Sequence, residues 1–295
     1  MKHAYLILAH HQWELIELLL RCLDHPQHTF YIHIDKKAGN IDETRFRKLL
    51  RQSSVTFVDR VDVRWGGFSQ IQAELTLLKA ALPGHFDYYH LLSGVDLPLR
   101  SAEKLVEFFD QHNGAEFVHF CTPPFSAGDS VQERVKYYYP LQETVGRSHG
   151  VWHKLSKAFV TVQRLMGVDR RKTYGKPIVC GANWFSITHE LATYVLAQES
   201  TIKGLCKNGF CVDEIFLQTL VWNSPFREKV YCLNEEGDYH SCLRFVDWER
   251  GNPYTFTSED FDELTQADYL FARKFDWEHD SSICRRLAEY TLNGT

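Results

Sequence analysis

The chain has 295 residues, 44% of them apolar and 24% charged, with a net charge of −5. That length buries one sizeable α/β core with insertions rather than two large domains. The negative balance lacks the basic footprint of a general nucleic-acid binder, and no apolar run approaches the roughly 20 residues that span a bilayer.

The first half alternates strand-like and helix-like segments. Ala4–Leu8 reads as a buried strand, and Trp13–Leu23 carries apolar residues at helical spacing with Glu14 and Glu17 on the other face. Phe30–Ile34 alternates as a strand and ends at Asp35-Lys36-Lys37. Arg45–Arg51 follows as a helix, Val55–Val58 as a strand, and Ile71–Leu82 as a helix closed by Pro83-Gly84. Tyr88–Leu92 is a strand ending in Ser93-Gly94-Val95-Asp96; Ala102–Gln111 is a helix and Glu116–Phe120 a strand. This rhythm predicts a mostly parallel central sheet with helices on both faces. Ligands of such sheets gather at the carboxyl ends of the strands, which collects Asp35, the Arg64–Gly67 turn and Asp96 on one rim.

Residues 121–176 break the rhythm. Pro123-Pro124, Gly128, the cluster Tyr137-Tyr138-Tyr139-Pro140 and the basic stretch Lys154–Lys172 describe a long excursion, helical over Leu155–Met166. An excursion of that length over a sheet rim is commonly functional. Ile178–Ile187 resumes as a strand, His189–Gln198 as a helix, and a further helix opens at Asp213. A strand over Lys229–Leu233 and helices over Asp262–Tyr269 and Ser281–Tyr290 complete the chain.

The eight cysteines are scattered without a CxxC pair, so they are expected as reduced, mostly buried thiols; a Cys232–Cys242 disulfide is the alternative. The run Ala4–Ala9 is too short for a signal-peptide core. The expected setting is cytoplasmic, with peripheral contact at the inner face of the cell membrane open.

Chemistry concentrates in a few segments. In Val212-Asp213-Glu214, Asp213 suits a helix N-cap and Glu214 the first turn. A carboxylate held there serves either as a general base or merely as a complement to the helix dipole. Asp35 with Lys36 and Lys37 is either a ligand contact or a solvated turn. His33 and Asp35 make at most half a metal site, without a third ligand at convincing spacing. Trp65-Gly66-Gly67 is a tight turn whose indole can also flank a base, and Trp248 is either core or sugar platform. The only Asp-x-Asp triplet, Asp260-Phe261-Asp262, sits at a helix start where capping explains it.

Six segments then line up in order: Tyr31–Lys37, Trp65–Glu74, Leu91–Leu99, Val212–Glu214, Leu243–Trp248 and Phe271–Asp276. Together they resemble the core-2/I-branching β-1,6-N-acetylglucosaminyltransferase family, which also holds the peptide O-xylosyltransferases. The resemblance covers Ala4 to Asp276. It implies one catalytic domain over 1–295 of the GT-A type: a Rossmann-like nucleotide-sugar half over about 1–120 and an acceptor half beyond it. It also implies a UDP-sugar donor, a glycan or glycolipid acceptor, inversion at the anomeric carbon and no divalent metal or other cofactor. In family terms Glu214 is the catalytic base. Asp35, Trp65, Asp96, Arg244, Arg273 and Lys274 are donor-side residues; Trp248, and more loosely Glu133, Arg134 and Lys136, face the acceptor. The sugar moved is expected to be N-acetylglucosamine, with xylose as the alternative.

One departure stands out. Animal members place an arginine after the tryptophan to share the diphosphate, and Asn252–Phe256 has none. Arg244, Arg250, Arg273 or the hydroxyls of Thr255 and Thr257 are the substitutes. The animal anchor and stem are also missing, which implies a soluble bacterial member. A sugar- or nucleotide-binding module that has lost catalysis is the reading from another class.

Overall fold

A computed structural model describes residues 1–121, 129–147, 150–233 and 239–294; the expected Pro123-Pro124 and Gly128 features lie outside them. The first half runs β1 (His3–Ala9), α1 (Trp13–Cys22), β2 (His28–Ile34), α2 (Glu43–Leu49), β3 (Ser54–Phe57), α3 (Phe68–Ala81), β4 (Tyr88–Ser93), β5 (Asp96–Pro98), α4 (Ala102–Gln111) and β6 (Phe117–Val118). The excursion folds as α5 (Asp129–Lys136), α6 (Gln142–Val145), α7 (Val151–Leu165) and α8 (Arg171–Tyr174). Then come β7 (Phe185–Thr188), α9 (His189–Ala197), α10 (Glu199–Cys206), α11 (Phe216–Trp222), β8 (Arg244–Val246), α12 (Phe261–Gln266), β9 (Phe271–Arg273) and α13 (Ser281–Leu292).

Six strands form the central sheet in the order β3-β2-β1-β4-β7-β6. The pairs β3–β2, β2–β1 and β1–β4 are parallel, and β7 runs against both β4 and β6. Side chains of a strand alternate between faces, and both faces are covered. Ala4, Leu6, Tyr89 and Leu91 pack on one side with Ile71, Leu75, Leu191 and Phe216 from α3, α9 and α11. Tyr5, Ile7, Tyr88 and Leu92 pack on the other with Leu15, Leu105 and Ile283 from α1, α4 and α13. Burial on both faces explains why β1 and β4 read as near-continuous apolar runs. This is a Rossmann-like α/β arrangement, a mostly parallel sheet with helices on both faces. A second sheet, β5-β9-β8, ties the C-terminal strands to the segment after β4.

Several expected elements differ in kind or in bounds. Of Ile178–Ile187 only Phe185–Thr188 is strand; upstream, the amide and carbonyl of Val179 bond the Thr219 hydroxyl instead of a ladder. Lys229–Leu233 is not a strand, because the edge it meets offers a single bridge, Glu116 to Val230, after a 3-10 turn over Pro225–Lys229. The helix expected from Leu155 starts at Val151. All eight cysteines are in the thiol form, Cys232 and Cys242 included. Among the described residues no helix is long and apolar enough to cross a membrane.

Candidate active site

The carboxyl ends of β1, β2 and β4 open into a cavity of about 560 Å³, bounded across by Asn183, Trp184, Asp213 and Arg273. Asp35 ends β2 at its rim. Its carboxylate accepts the Lys37 amide (2.9 Å) and pairs with the Lys37 ammonium (3.2 Å). The Arg60 guanidinium ties the loop by donating to the carbonyls of Ile34, Asp35 and Gly39. His33 accepts the Val61 amide (2.9 Å), and burial holds its pKa down to about 4. It therefore serves as a neutral structural acceptor. No group of three or more His, Cys, Asp or Glu among the described residues is arranged to hold a metal ion.

Asp96 lies at the start of β5, only 1% exposed. Its oxygens accept the Ser93 amide (2.8 Å) and hydroxyl (2.7 Å), and Arg273 of β9 pairs with it at 3.2 Å. Expected as a direct ligand contact, Asp96 instead anchors Arg273, because burial leaves its carboxylate no open face. The Arg273 guanidinium lies 4.0 Å from the Trp184 ring centroid and lines the cavity. Lys274 is half-buried, makes no ion pair among the described residues, and lies close enough to His11 for its charge to lower that imidazole's pKa after burial and in opposition to two acids.

Arg244, also expected at the ligand, is a structural arginine. It is buried at the start of β8 and donates to the carbonyls of Cys242 (2.7 Å) and Phe185 (2.9 Å) and to the Ser186 hydroxyl (3.1 Å). Those bonds lock the small sheet to β7, and burial pushes its pKa down to about 10. Two of the other substitutes, Arg250 and Thr257, are occupied as well. Arg250 is shared among Asp247, Asp260 (2.7 Å) and Glu263 (2.8 Å). Thr257 and Asp260 form a capping box, the role expected of the Asp260-Phe261-Asp262 triplet.

Glu214 closes a 3-10 turn over Val212–Glu214, and α11 starts only at Phe216. Asp213 is consequently no N-cap. The turn follows Cys211, which has φ 46° and whose amide donates to the Gly66 carbonyl (2.9 Å). That geometry rotates Asp213 inward, where one oxygen accepts Gln70 Nε2 (2.8 Å) and the other has no partner. Burial, reinforced by Glu214, pushes Asp213 up to about 7. The Glu214 carbonyl accepts the Gly181 amide (3.0 Å), and a Cβ at Gly181 would stand 1.8 Å from the His119 carbonyl oxygen. The turn is thus seated where only glycine fits.

The Glu214 side chain is 44% exposed, and Arg134 Nη1 donates to its Oε2 at 2.5 Å. Arg134 belongs to a second cavity of about 720 Å³, walled by Glu133, Tyr139, Phe210 and one face of α7. Glu133 pairs there with Arg164 at 2.9 Å. Trp65 lines both cavities, with its ring edge-on to Phe210 and the Arg147 guanidinium 5.3 Å from its centroid. It is a shared wall. The Glu214–Arg134 pair bridges the same boundary, since Asp213 lines one cavity and Arg134 the other. Lys136, expected on the acceptor side with Arg134, lines neither of these two cavities; two residues along α5 it faces another way, with its ammonium 5.3 Å from the Tyr137 ring centroid. Trp248 is 51% exposed and donates to the Tyr239 hydroxyl (2.6 Å).

Sequence reasoning missed four groups. Tyr239 stacks on His119 (4.3 Å between centroids), and burial pushes its hydroxyl up to about 12. Glu74 is fully buried on α3 with neither oxygen partnered; burial, then Asp213, holds its pKa well above the usual range. Its signal was an acid on the apolar face shared by Ile71, Leu75 and Leu78. The Cys121 and Cys180 sulfurs meet at 2.7 Å, close enough to Arg134 and Glu214 to feel their charges.

One cavity at the carboxyl ends of a mostly parallel sheet is where ligands of the open α/β class gather, and a second meets it at Trp65 and the Glu214–Arg134 pair. The chain belongs to the core-2/I-branching enzyme family, whose model matches residues 3–269. It is similar to rat xylosyltransferase 2, at 25% identity over 92% of this chain and 32% of that protein. It is also similar to rat beta-1,3-galactosyl-O-glycosyl-glycoprotein beta-1,6-N-acetylglucosaminyltransferase 3, at 22% identity over 97% of this chain and 67% of that one. Human xylosyltransferase 1 matches at 23% identity over 95% of this chain and 29% of its own length. The chain thus spans about a third of the xylosyltransferases it matches.

Proposed function

We propose that this protein is an inverting glycosyltransferase that moves a sugar from a UDP-sugar in the first cavity to a glycan hydroxyl in the second. The observation that carries this reading is Glu214 at the junction. One oxygen is held by Arg134 and the other makes no hydrogen bond among the described residues, so it is available to an incoming hydroxyl. A general base must lie within hydrogen-bond reach of the proton it removes. As the acceptor oxygen attacks the anomeric carbon, Glu214 takes its proton and the bond to the diphosphate breaks on the opposite face. Charge then grows on the departing UDP. Arg273, fixed by Asp96 and stacked beside Trp184, answers it together with Lys274. Fixed cations of this kind stabilise developing charge without reorganising, and the reaction needs no divalent ion. Asp35 serves the nucleoside end, and Trp248 with Tyr239 borders the acceptor.

N-acetylglucosamine is the sugar moved. Xylose is the second reading, favoured by the xylosyltransferases among the similar proteins. The test is UDP binding with and without EDTA, followed by turnover of Glu214→Gln on a panel of UDP-N-acetylglucosamine, UDP-xylose, UDP-glucose and UDP-galactose. UDP should bind equally with EDTA, and the variant should lose turnover by about 10²-fold or more while keeping UDP affinity. Normal turnover in that variant removes Glu214 from the role. Binding that vanishes with EDTA removes the cation clamp.

A further inference from the structure

Large apolar side chains are exposed at few places among the described residues, and most of those places are one helix. Seven of eleven lie between 151 and 166: Val151, Trp152, Leu155, Phe159, Val162, Leu165 and Met166, each 44% to 84% exposed. Their spacing puts them on one side of α7. The opposite side, including His153, Lys157 and Arg164, lines the second cavity. Neither exposure nor periodicity alone names an occupant; charge does. Residues 147–176 contain eight arginines and lysines against one acid, Asp169, in a chain whose net charge is −5. Lys154, Lys172 and Lys176 are exposed and make no ion pair among the described residues.

We propose that α7 docks this protein on an anionic lipid bilayer, lying in the plane of the interface with its apolar side in the headgroup–acyl boundary. A strongly amphipathic helix with Trp, Phe and Leu on one side and basic residues around it binds in that way, and lysines near the surface add attraction to anionic lipid. A second copy of the chain fits less well, because a two-fold contact through α7 would set this basic segment against itself. Docked so, α7 has the bilayer on one side and the second cavity on the other, and the hydroxyl substrate of that nearby cavity is a glycan carried on lipid. That consequence rests on the proposed function; the docking does not.

The experiment is co-sedimentation of the full chain with vesicles of phosphatidylglycerol and phosphatidylcholine, and with phosphatidylcholine alone. The protein should pellet with the anionic vesicles and not with the neutral ones. Leu155→Gln/Phe159→Gln should weaken that binding by more than about tenfold, and Lys154→Gln/Lys172→Gln by about fivefold per lysine. Added salt should weaken it further. All variants should keep the wild-type melting temperature and UDP affinity, since none of these side chains lines either cavity. Binding to vesicles without any UDP binding leaves the docking in place and fells the donor reading. The docking is overturned if no vesicle binds, or if the variants pellet like the wild type. It is equally overturned if the wild type binds no vesicle and instead forms a dimer, or captures an acidic protein, that Leu155→Gln/Phe159→Gln dissolves.

Discussion

Replacing Glu74 by methionine should stabilise this protein, and by more at neutral than at acid pH. Glu74 is 0% exposed and neither carboxyl oxygen has a hydrogen-bond partner among the described residues. Leaving a buried polar group unsatisfied costs about 1–3 kcal/mol, and an apolar residue of similar shape removes that cost. Burial, with Asp213 second, raises its pKa well above the ordinary 4.5, so the folded protein keeps a proton that the unfolded chain releases. Where the folded state binds the extra proton, stability falls as pH rises, by about 1.4 kcal/mol per unit for one such group. The window starts near 4.5 and extends up to the raised folded value. Glu74→Met removes that group's share. A gain of about 2 kcal/mol at pH 5 corresponds to roughly 3–4 °C in Tm for a chain of this size. The lead should widen by about 1 kcal/mol per unit toward pH 7. Thermal denaturation of both proteins at pH 5, 6 and 7 reads this directly. A variant less stable at every pH, or a gap that stays constant, would show that the carboxyl has a partner, and the burial argument fails.

Asp96→Asn should free the Arg273 guanidinium and weaken UDP binding about tenfold, as expected for losing one charge-assisted anchor, with the titration unchanged by EDTA. Arg244→Met should lower stability by about 3 kcal/mol through the orphaned carbonyls of Cys242 and Phe185, yet leave the UDP affinity of the folded protein intact. Gly181→Ala should abolish turnover and soluble yield, because its Cβ would meet the His119 carbonyl at 1.8 Å. Gly204→Ala, in α10 with nothing within 4 Å, should instead raise stability by about 0.5–1 kcal/mol.

The parallel core was legible because burial on both faces writes itself as local apolar runs such as Tyr5–Ile7 and Tyr88–Leu92, broken by helical spacing over Trp13–Cys22 and Ala102–Gln111. The rim that gathers Asp35 and Trp65 followed from that order, whereas Arg273 entered only through the resemblance. What failed was set by contacts between distant segments. Asp213 satisfies every local rule for an N-cap, yet the Cys211 amide reaches back to Gly66 and turns the carboxylate into the core. Arg244 looks like a free cation in a strand until β7 supplies carbonyls for it. Asp96 was placed near the donor, and only the β5–β9 pairing reveals that it is buried against Arg273. Lys136 lies two residues from Arg134 on one helix, and such neighbours do not share a face, which is why it stands outside both cavities.

The β5–β9 pairing sets an order in time. Arg273 reaches Asp96 only when one of the last strands closes on a segment made far earlier in the chain. A nascent polypeptide can therefore lay down β1 through β4 while still lacking the guanidinium that lines the cavity at their ends. Until the ribosome has released Phe271–Arg273, the half-made protein is a mould without a clasp.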